Sequence, residues 1–289
     1  MSYRITTDST TDLPQSYLDA HQIACIGLTF QIEGKEYTEG PDVGMTSKAF
    51  YDSLRKGAQA STMQVNTYAF TQFVEPFLAA GEDVLHIAFS SGLSGTYASC
   101  QAAVAELKEK YPERTLVVID SLCASMGEGL LVDYAVKNRD KGMDLQENAQ
   151  WLQDNKLHLC HWFTVDDLMH LHRGGRVSKT SAIVGSLLQF KPVLHVDDEG
   201  HLILMSKTRG RKSSLKALVD RMKETALEPV KDQTVFISHG DCEEDAQLVA
   251  QMVRDECGVK DILIHSIGAV IGSHSGPGTV ALFFLGSHR

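Results

Sequence analysis

The chain has few basic residues for its size, and it has no long uninterrupted apolar run. Lys and Arg total 27 against 37 Asp and Glu among 289 residues, so the formal net charge is −10. General nucleic-acid binding requires a basic surface, and this charge balance argues against it. Every apolar run is much shorter than the roughly 18 residues that a membrane-spanning helix needs. The first residues also lack the apolar segment of a secretory signal, so we predict a cytoplasmic protein.

Cysteine pairs and the common nucleotide and nucleophile motifs are missing as well. The six cysteines are scattered and never form C-x-x-C, a pattern typical of buried thiols in a reducing compartment. The sequence contains no P-loop, no G-x-G-x-x-G and no H-E-x-x-H. The loop at 92–96 has Thr96 where a nucleophile elbow has its second Gly. We therefore predict no metal, no cofactor and no catalytic residues, and hence a protein that is not an enzyme.

The first 155 residues alternate between strand and helix patterns. Apolar, partly β-branched runs at 3–7, 84–89 and 115–120 predict strands, and helical periodicity occurs between them. Continuous apolar character, as in 115–120, is typical of strands that are covered on both faces. This alternation predicts an α/β domain built on a parallel sheet over residues 1–155.

The second half of the chain, residues 156–289, has a different pattern. An apolar helix is predicted at 178–188, and the strands predicted at 192–197 and 201–206 flank an Asp-Glu-Gly turn that signals a hairpin. Helix and strand patterns then alternate up to a last strand at 280–285. A hairpin combined with alternating units predicts a mixed sheet, and so a C-terminal mixed-sheet α/β domain. For the last strand an alternative stays open, in which it returns to the first domain.

A loop rich in Ser and Gly at 90–96 follows the strand at 84–89 and precedes a helical segment. Small residues allow a ligand to approach the backbone closely. The start of the helix offers unpaired N–H groups and the positive end of the helix dipole. With the hydroxyls of Ser91 and Ser94, the loop predicts a site for a carboxylate or a phosphate. The alternative is that Ser94 or Thr96 only caps the helix.

Three further segments carry polar groups whose roles the residues alone leave open. Thr62 precedes a helix and by itself predicts a helix cap. Arg173 and Arg176 flank two glycines, either as solvated charges at a helix end or as groups that bind a carboxylate. His274 lies in the Gly-rich segment 272–278, where it is either a donor to a ligand or an incidental turn residue.

A basic run at 207–212 stands out in this acidic chain. Most of its charges are expected on a solvated face. The alternative is a docking patch for an acidic partner or for transient contact with an anionic membrane surface. Arg209 and Arg211 are the residues predicted to form such a patch.

Six motifs, taken in their order and spacing, resemble those of the DegV family. They are DSTTDLP at 8–14, ST at 61–62, SSGLSGT at 90–96, RGGRVS at 173–178, KP at 191–192 and HSGPGT at 274–279. Together they extend over the whole chain. The resemblance implies two α/β domains and a buried site for a long-chain fatty acid, whose carboxyl group is presented to a separate ATP-dependent fatty acid kinase. The acyl-phosphate then stays bound.

The resemblance also implies which residues contact the ligand. The predicted fatty-acid-binding residues are Thr62, Ser91, Ser94, Gly95, Arg173 and His274. Ser91 is included for its hydroxyl group in the loop at 90–96. Thr62, Ser94 and the Gly95 amide hold the carboxyl group itself. Whether Arg173 or Arg176 approaches the carboxylate stays open, since both lie in one motif.

Two alternatives from other functional classes also stay open. The first is a stand-alone transferase or hydrolase that uses Ser94 and His274 and turns over substrate without a partner. The second is a lipid sensor whose ligand alters a protein interaction. A carrier, in contrast, retains lipid through purification and performs no chemistry by itself.

Overall fold

The computed structural model describes residues 3–178 and 190–289, so the helix predicted at 178–188 lies outside the described residues apart from Ser178. The helices of the described residues are α1 (Gln15–Ala20), α2 (Ser47–Arg55), α3 (Thr67–Ala79), α4 (Thr96–Lys110), α5 (Met126–Asp140), α6 (Leu145–Asn155), α7 (Leu168–Arg173), α8 (Arg211–Thr225), α9 (Glu243–Cys257) and α10 (Ala269–Ser275). None of them is both long and apolar enough to cross a membrane.

Four parallel strands form the first sheet. In spatial order they are β2 (Ala24–Ile26), β1 (Tyr3–Asp8), β6 (Asp83–Ala88) and β7 (Leu116–Asp120). Helices α3 and α4 cover one face of this sheet, and α5 and α6 cover the other. Because both faces are covered, β6 is buried over nearly its whole length, as a continuous apolar run predicts.

A small antiparallel sheet was not predicted from the sequence. Its order is β4 (Lys35–Thr38), β3 (Thr29–Ile32) and β5 (Ala60–Met63). The prediction that Thr62 caps a helix is therefore wrong: it lies in β5, opposite Phe30 of β3. The cap of α3 is Asn66, whose side chain accepts the N–H of Ala69 at 2.9 Å.

Six strands form the mixed sheet of the second half. In spatial order they are β10 (Leu202–Arg209), β9 (Phe190–Val196), β8 (Leu159–Thr164), β13 (Val280–Leu285), β11 (Thr234–His239) and β12 (Asp261–Ser266). Among the strand pairs that the described residues form here, β11 and β12 are parallel and the others antiparallel. A parallel sheet and a mixed sheet, both with helices, confirm the predicted fold class. The last strand pairs with β8 and β11, within the mixed sheet.

Helix α5 lies between the two larger sheets, and most of its residues are therefore buried. It packs against β6 of the parallel sheet and against β8, β11 and β13 of the mixed sheet. At Gly127 the approach is so close that a Cβ atom would lie 2.1 Å from Nε2 of His161. Helix α10, from the second half, packs in turn against β3 and β5 of the first half. The division into domains at residue 155 stays a prediction.

Candidate functional site

An apolar cavity of about 350 Å³ lies where α4, β5, α10 and the mixed sheet meet. This volume is within the range of about 300–1,000 Å³ that small-molecule sites occupy. The apolar residues that line it include Leu28, Met63, Phe89, Leu93, Phe163, Leu171, Val196, Leu202, Ile267, Val270, Ile271, Ala281 and Phe283. The structure also brings four of the predicted binding residues into its lining: Thr62, Ser94, Gly95 and His274.

The hydrogen bond between Thr62 and His274 joins the two halves of the chain at this cavity. Thr62 Oγ1 and His274 Nε2 are 2.9 Å apart. The Gly-rich segment begins in the last turn of α10, so His274 lies on a helix, and the alternative that made it an incidental turn residue is wrong. Burial, with a smaller contribution from the Arg176 charge, lowers the pKa of His274 to about 4. The imidazole is therefore neutral at neutral pH.

Ser94 and Gly95 place the start of α4 at the cavity. Ser94 Oγ lies 3.0 Å from Thr96 Oγ1 and accepts the Thr96 N–H at 3.2 Å. The residue that caps α4 is Gly95, so the interpretation that Ser94 or Thr96 caps the helix is wrong. Ser94 bonds to the first helical residue and also lines the cavity. A Cβ atom at Gly95 would lie 2.2 Å from Oε1 of Gln64, so any side chain there would require the Gln64 side chain to move. The Gln64 side chain, which the sequence analysis did not single out, also lines the cavity.

The two arginines of the RGGR motif occupy different environments. Arg176 lines the cavity, and its Nη2 donates to the Leu93 carbonyl at 3.0 Å. Arg173 ends α7 and is exposed. Among the described residues that line the cavity, Arg176 is present and neither Arg173 nor Ser91 occurs. Ser91 is exposed and its N–H donates to Asp120 Oδ1 at 3.1 Å.

Gly174 explains how the RGGR motif fits against the helix that carries His274. A Cβ atom at Gly174 would lie 2.2 Å from His274 Nδ1, although the backbone angles (φ −71°, ψ −8°) suit any residue. His274 Nδ1 is buried and has no hydrogen-bond partner among the described residues. In the sequence, Gly174 indicates only the end of a helix. The sequence pattern does not predict that α10 packs against this glycine.

A second polar group in the cavity wall was missed by the sequence analysis. Ser125 precedes α5 with φ 55° and ψ −147°, an uncommon backbone conformation for a residue other than Gly. Its Oγ donates to Asp12 Oδ2 at 2.5 Å and lies 2.9 Å from Ser238 Oγ. Ser125 and Ser238 both line the cavity. Asp12 lies in the DSTTDLP motif, which precedes a predicted helix and by itself indicates a helix cap, with ligand contact by Asp8 or Ser9 as the alternative.

Among the described residues, one group of side chains has ligand atoms close enough together for a metal ion. Atoms of Asp197, Glu199 and His201, in the turn between β9 and β10, lie within 4.8 Å of one another. Asp197 Oδ1 already accepts the N–H groups of Glu199 at 3.1 Å and His201 at 2.8 Å. These bonds give the carboxylate a role in the turn itself.

The basic run differs from its prediction in where the residues lie. Lys207 and Arg209 belong to β10, and Arg211 and Lys212 begin α8, so the connection contains only Gly210. Arg209 and Lys212 are exposed. The strand is longer than predicted because β9 continues to pair with it up to Arg209.

Arg211 differs from its exposed neighbours because its side chain is only 20% exposed. It donates from Nε to Asp245 Oδ2 at 2.8 Å and lies 3.8 Å from Asp166. This ion pair connects α8 to the start of α9. The structure therefore places Arg211 in contacts within the fold, whereas the docking prediction expects an exposed charge.

The fold and cavity define an α/β protein with two large sheets and one small sheet, and with a mainly apolar cavity that has polar side chains in its wall. A family model described as “Uncharacterised protein, DegV family” matches residues 2–287, and the chain belongs to the DegV family. The predicted resemblance is confirmed. A DegV domain-containing protein of Clostridium perfringens is 48% identical over 285 residues, which are 99% of this chain and 98% of that protein.

Solved structures of the family have the same fold. A DegV lipid-binding protein from Thermotoga maritima matches with a TM-score of 0.88 and 29% identity over 100% of both chains. A fatty-acid-binding DegV family protein from Thermus thermophilus matches with a TM-score of 0.88 and 28% identity, over 98% of this chain and 99% of that one. DegV from Bacillus subtilis, a fatty acid binding protein, matches with a TM-score of 0.84 and 27% identity over 98% of both chains.

Proposed function

We propose that the cavity binds a long-chain fatty acid, with its carboxyl group at Thr62, Ser94 and the Gly95 amide. The observation that carries this proposal is the cavity itself, which is apolar over most of its wall and has hydroxyl, imidazole and guanidinium groups among its lining residues. The fatty-acid-binding proteins of similar fold support it. Arg176 takes the role of the arginine, because it lines the cavity.

The two parts of such a ligand contribute differently to binding. Each buried methylene contributes about 0.8 kcal/mol, before the cost of ordering the chain, so the apolar tail supplies most of the affinity. The carboxylate is held by the donors at the start of α4 and by Arg176, which fix its orientation. Neutral His274 can donate one hydrogen bond to the ligand without adding a second positive charge to that of Arg176.

We also propose that the chain is a cytoplasmic carrier, which presents the bound carboxyl group to a separate ATP-dependent fatty acid kinase and keeps the acyl-phosphate. The family resemblance supports this role. The exposed Arg209 and Lys212 are a basic surface in an acidic chain and suit an acidic partner. Six free cysteines are consistent with a reducing compartment.

A hydrolase that uses Ser94 and His274 is less well supported. Ser94 Oγ contacts Thr96 and His274 Nε2 contacts Thr62, so each group already has another partner. A nucleophile and its base need a hydrogen bond to each other. The observed partners hold the two side chains as separate donors and acceptors around the cavity.

Organic extraction of the purified protein, followed by mass spectrometry, tests the proposed function. We expect about one equivalent of a long-chain fatty acid per chain, and no turnover of a fatty acyl ester by the protein alone. Stoichiometric recovery of a different ligand class would contradict fatty-acid binding. Sustained ester hydrolysis that is lost in Ser94→Ala would instead support the enzyme alternative.

A further inference from the structure

Two buried carboxyl groups meet just before α10, at the opposite end of that helix from His274. Asp12 Oδ1 accepts the N–H of Gly268 at 2.8 Å, and Glu39 Oε1 accepts the N–H of Val270 at 2.8 Å. A Cβ atom at Gly268 would lie 2.5 Å from Glu39 Oε1 and 2.8 Å from Asp12 Oδ1. Both carboxyl groups therefore pack against Gly268 and accept backbone N–H groups at the start of the helix.

Helix α10 is short enough for this attachment to determine where His274 lies. It spans the seven residues Ala269–Ser275, and His274 in its last turn is bonded to Thr62. Tyr51 Oη adds one more attachment at the start, donating to the Ile267 carbonyl at 3.1 Å. Less than two helical turns separate the first residue of α10 from His274, so a displacement of the first turn also displaces the imidazole.

The two carboxyl groups share a buried environment with other ionisable groups. Burial raises the pKa of Glu39 to about 7, and burial together with the Glu39 charge raises that of Asp12 well above its usual range. The groups that face the pair are Asp8, Cys25, Tyr51, Glu128 and His265. Burial lowers the pKa of His265, so it does not supply a positive charge at neutral pH. A second cavity, lined by Asp12, Glu39 and His265, lies beside the pair.

We propose that Glu39 and Asp12 are positioning residues, which hold α10 so that His274 faces the ligand carboxylate, and that loss of the Glu39 charge weakens binding at that site. This inference rests on the proposed function. An ionised carboxylate is the stronger acceptor for the Val270 N–H and also interacts favourably with a helix start. Glu39 Oε2 is buried without a partner among the described residues, so the Oε1 bond is its main link to the helix.

The experiment compares the parent protein, Glu39→Gln and the control Glu36→Gln, an exposed glutamate on β4, the strand that ends just before Glu39. Affinity for a fluorescent long-chain fatty acid is measured from one pH unit below to one unit above 7. We expect the parent and the control to bind more weakly on the acid side. Glu39→Gln should lack this difference and bind about tenfold more weakly at the higher pH, a size typical of coupling between adjacent sites.

A pH profile of Glu39→Gln that follows the parent would overturn the inference. Amide hydrogen exchange of residues 268–275 in the ligand-free parent provides a second test, corrected for the intrinsic pH dependence of exchange. Protection should decrease below pH 7, and protection that stays constant would also overturn the inference. If no variant binds fatty acid, the proposed function fails, and the exchange measurement still decides whether Glu39 holds the helix.

Discussion

At the scale of single residues, the contact between Thr62 and His274 defines the polar part of the cavity. The two residues are 212 positions apart, yet their side chains are 2.9 Å apart. Each comes from a short element, β5 or α10, that lies at the boundary between the two halves. The cavity therefore depends on both halves of the chain being packed together.

We predict that Ser94→Ala and Thr62→Ala each weaken fatty-acid binding by about 1.5–3 kcal/mol, since each removes a hydrogen bond to a charged carboxylate. Neither change should unfold the protein, because both side chains lie at the edge of a cavity and not in close-packed core. Titration with a fluorescent fatty acid measures the loss, and a thermal melt checks the fold. Ser91→Ala is the matched control from the same loop, since Ser91 is exposed.

The two alanine variants and the control separate two assignments. Parent-like binding by both Ser94→Ala and Thr62→Ala would show that the carboxylate lies elsewhere. A loss in Ser91→Ala of the same size would place the ligand outside the described cavity, since Ser91 does not occur among the described residues that line it.

At the scale of secondary-structure elements, the connection between β10 and α8 determines which basic side chains can meet a partner. Arg209 is the last residue of the strand and Lys212 the second residue of the helix, and both are exposed. Arg211 lies between them but turns to Asp245. Three neighbouring basic residues thus divide into two candidates for docking and one that connects helices.

We predict that the double variant Arg209→Glu, Lys212→Glu slows acyl-phosphate formation in an assay reconstituted with an ATP-dependent fatty acid kinase. Charge steering acts on the association rate and is screened by salt, so the difference from the parent should shrink as ionic strength rises. Fatty-acid affinity should stay unchanged, because neither residue lines the cavity among the described residues.

The control for this prediction is Lys35→Glu, Lys141→Glu, which changes the net charge equally at two exposed lysines of the first half. Kinase rates equal to that control would contradict the docking surface. Arg211→Glu is not a suitable test, because it places a negative charge beside Asp245 and Asp166 and should lower the melting temperature.

At the scale of the whole molecule, buried ionisable groups make stability depend on pH in two opposed ways. Burial raises the pKa of four carboxyl groups, to about 7 for one of them: Asp8, Asp12, Glu39 and Glu128. These groups bind protons more tightly when folded. Their effect on stability is favourable at lower pH and is lost as pH rises through about 7, the value for Glu39.

Buried histidines have the opposite effect. Burial lowers the pKa from 6.5 to about 3 for His86 and to about 4 for His195 and His274. The unfolded chain therefore binds protons that the folded chain does not. The stability that these residues contribute is fully present above pH 6.5 and is lost as pH falls towards 4.

We therefore predict that the free energy of unfolding has its maximum at about pH 6–7, between the two sets of groups. Urea unfolding at a series of pH values measures it. Glu39→Gln should make the free energy rise more steeply between about pH 4.5 and 7, because the Glu39 contribution that opposes the histidines over this range is removed, and it should leave the slope well above pH 7 unchanged. A free energy that increases steadily from pH 6 to above pH 8 would contradict the raised carboxyl pKa values.

The sequence by itself determined most elements and part of the site. Local periodicity is enough to locate strands such as β6 and helices such as α9, because burial of one face repeats along the chain. The Ser-Gly loop before α4 could be related to a carboxylate because a strand, a tight loop and a helix start follow directly in sequence. The predicted Thr62, Ser94, Gly95 and His274 all line one cavity.

Only the tertiary structure decided which distant groups meet. Arg173 and Arg176 are equivalent in the sequence motif, but the end of α7 leaves the first exposed and turns the second to the cavity. The pairing of Glu39 with Asp12 before α10 has no local signal, because either residue alone is compatible with an ordinary turn or cap. Contacts of this kind depend on how whole elements pack, and one local pattern is compatible with many packing partners.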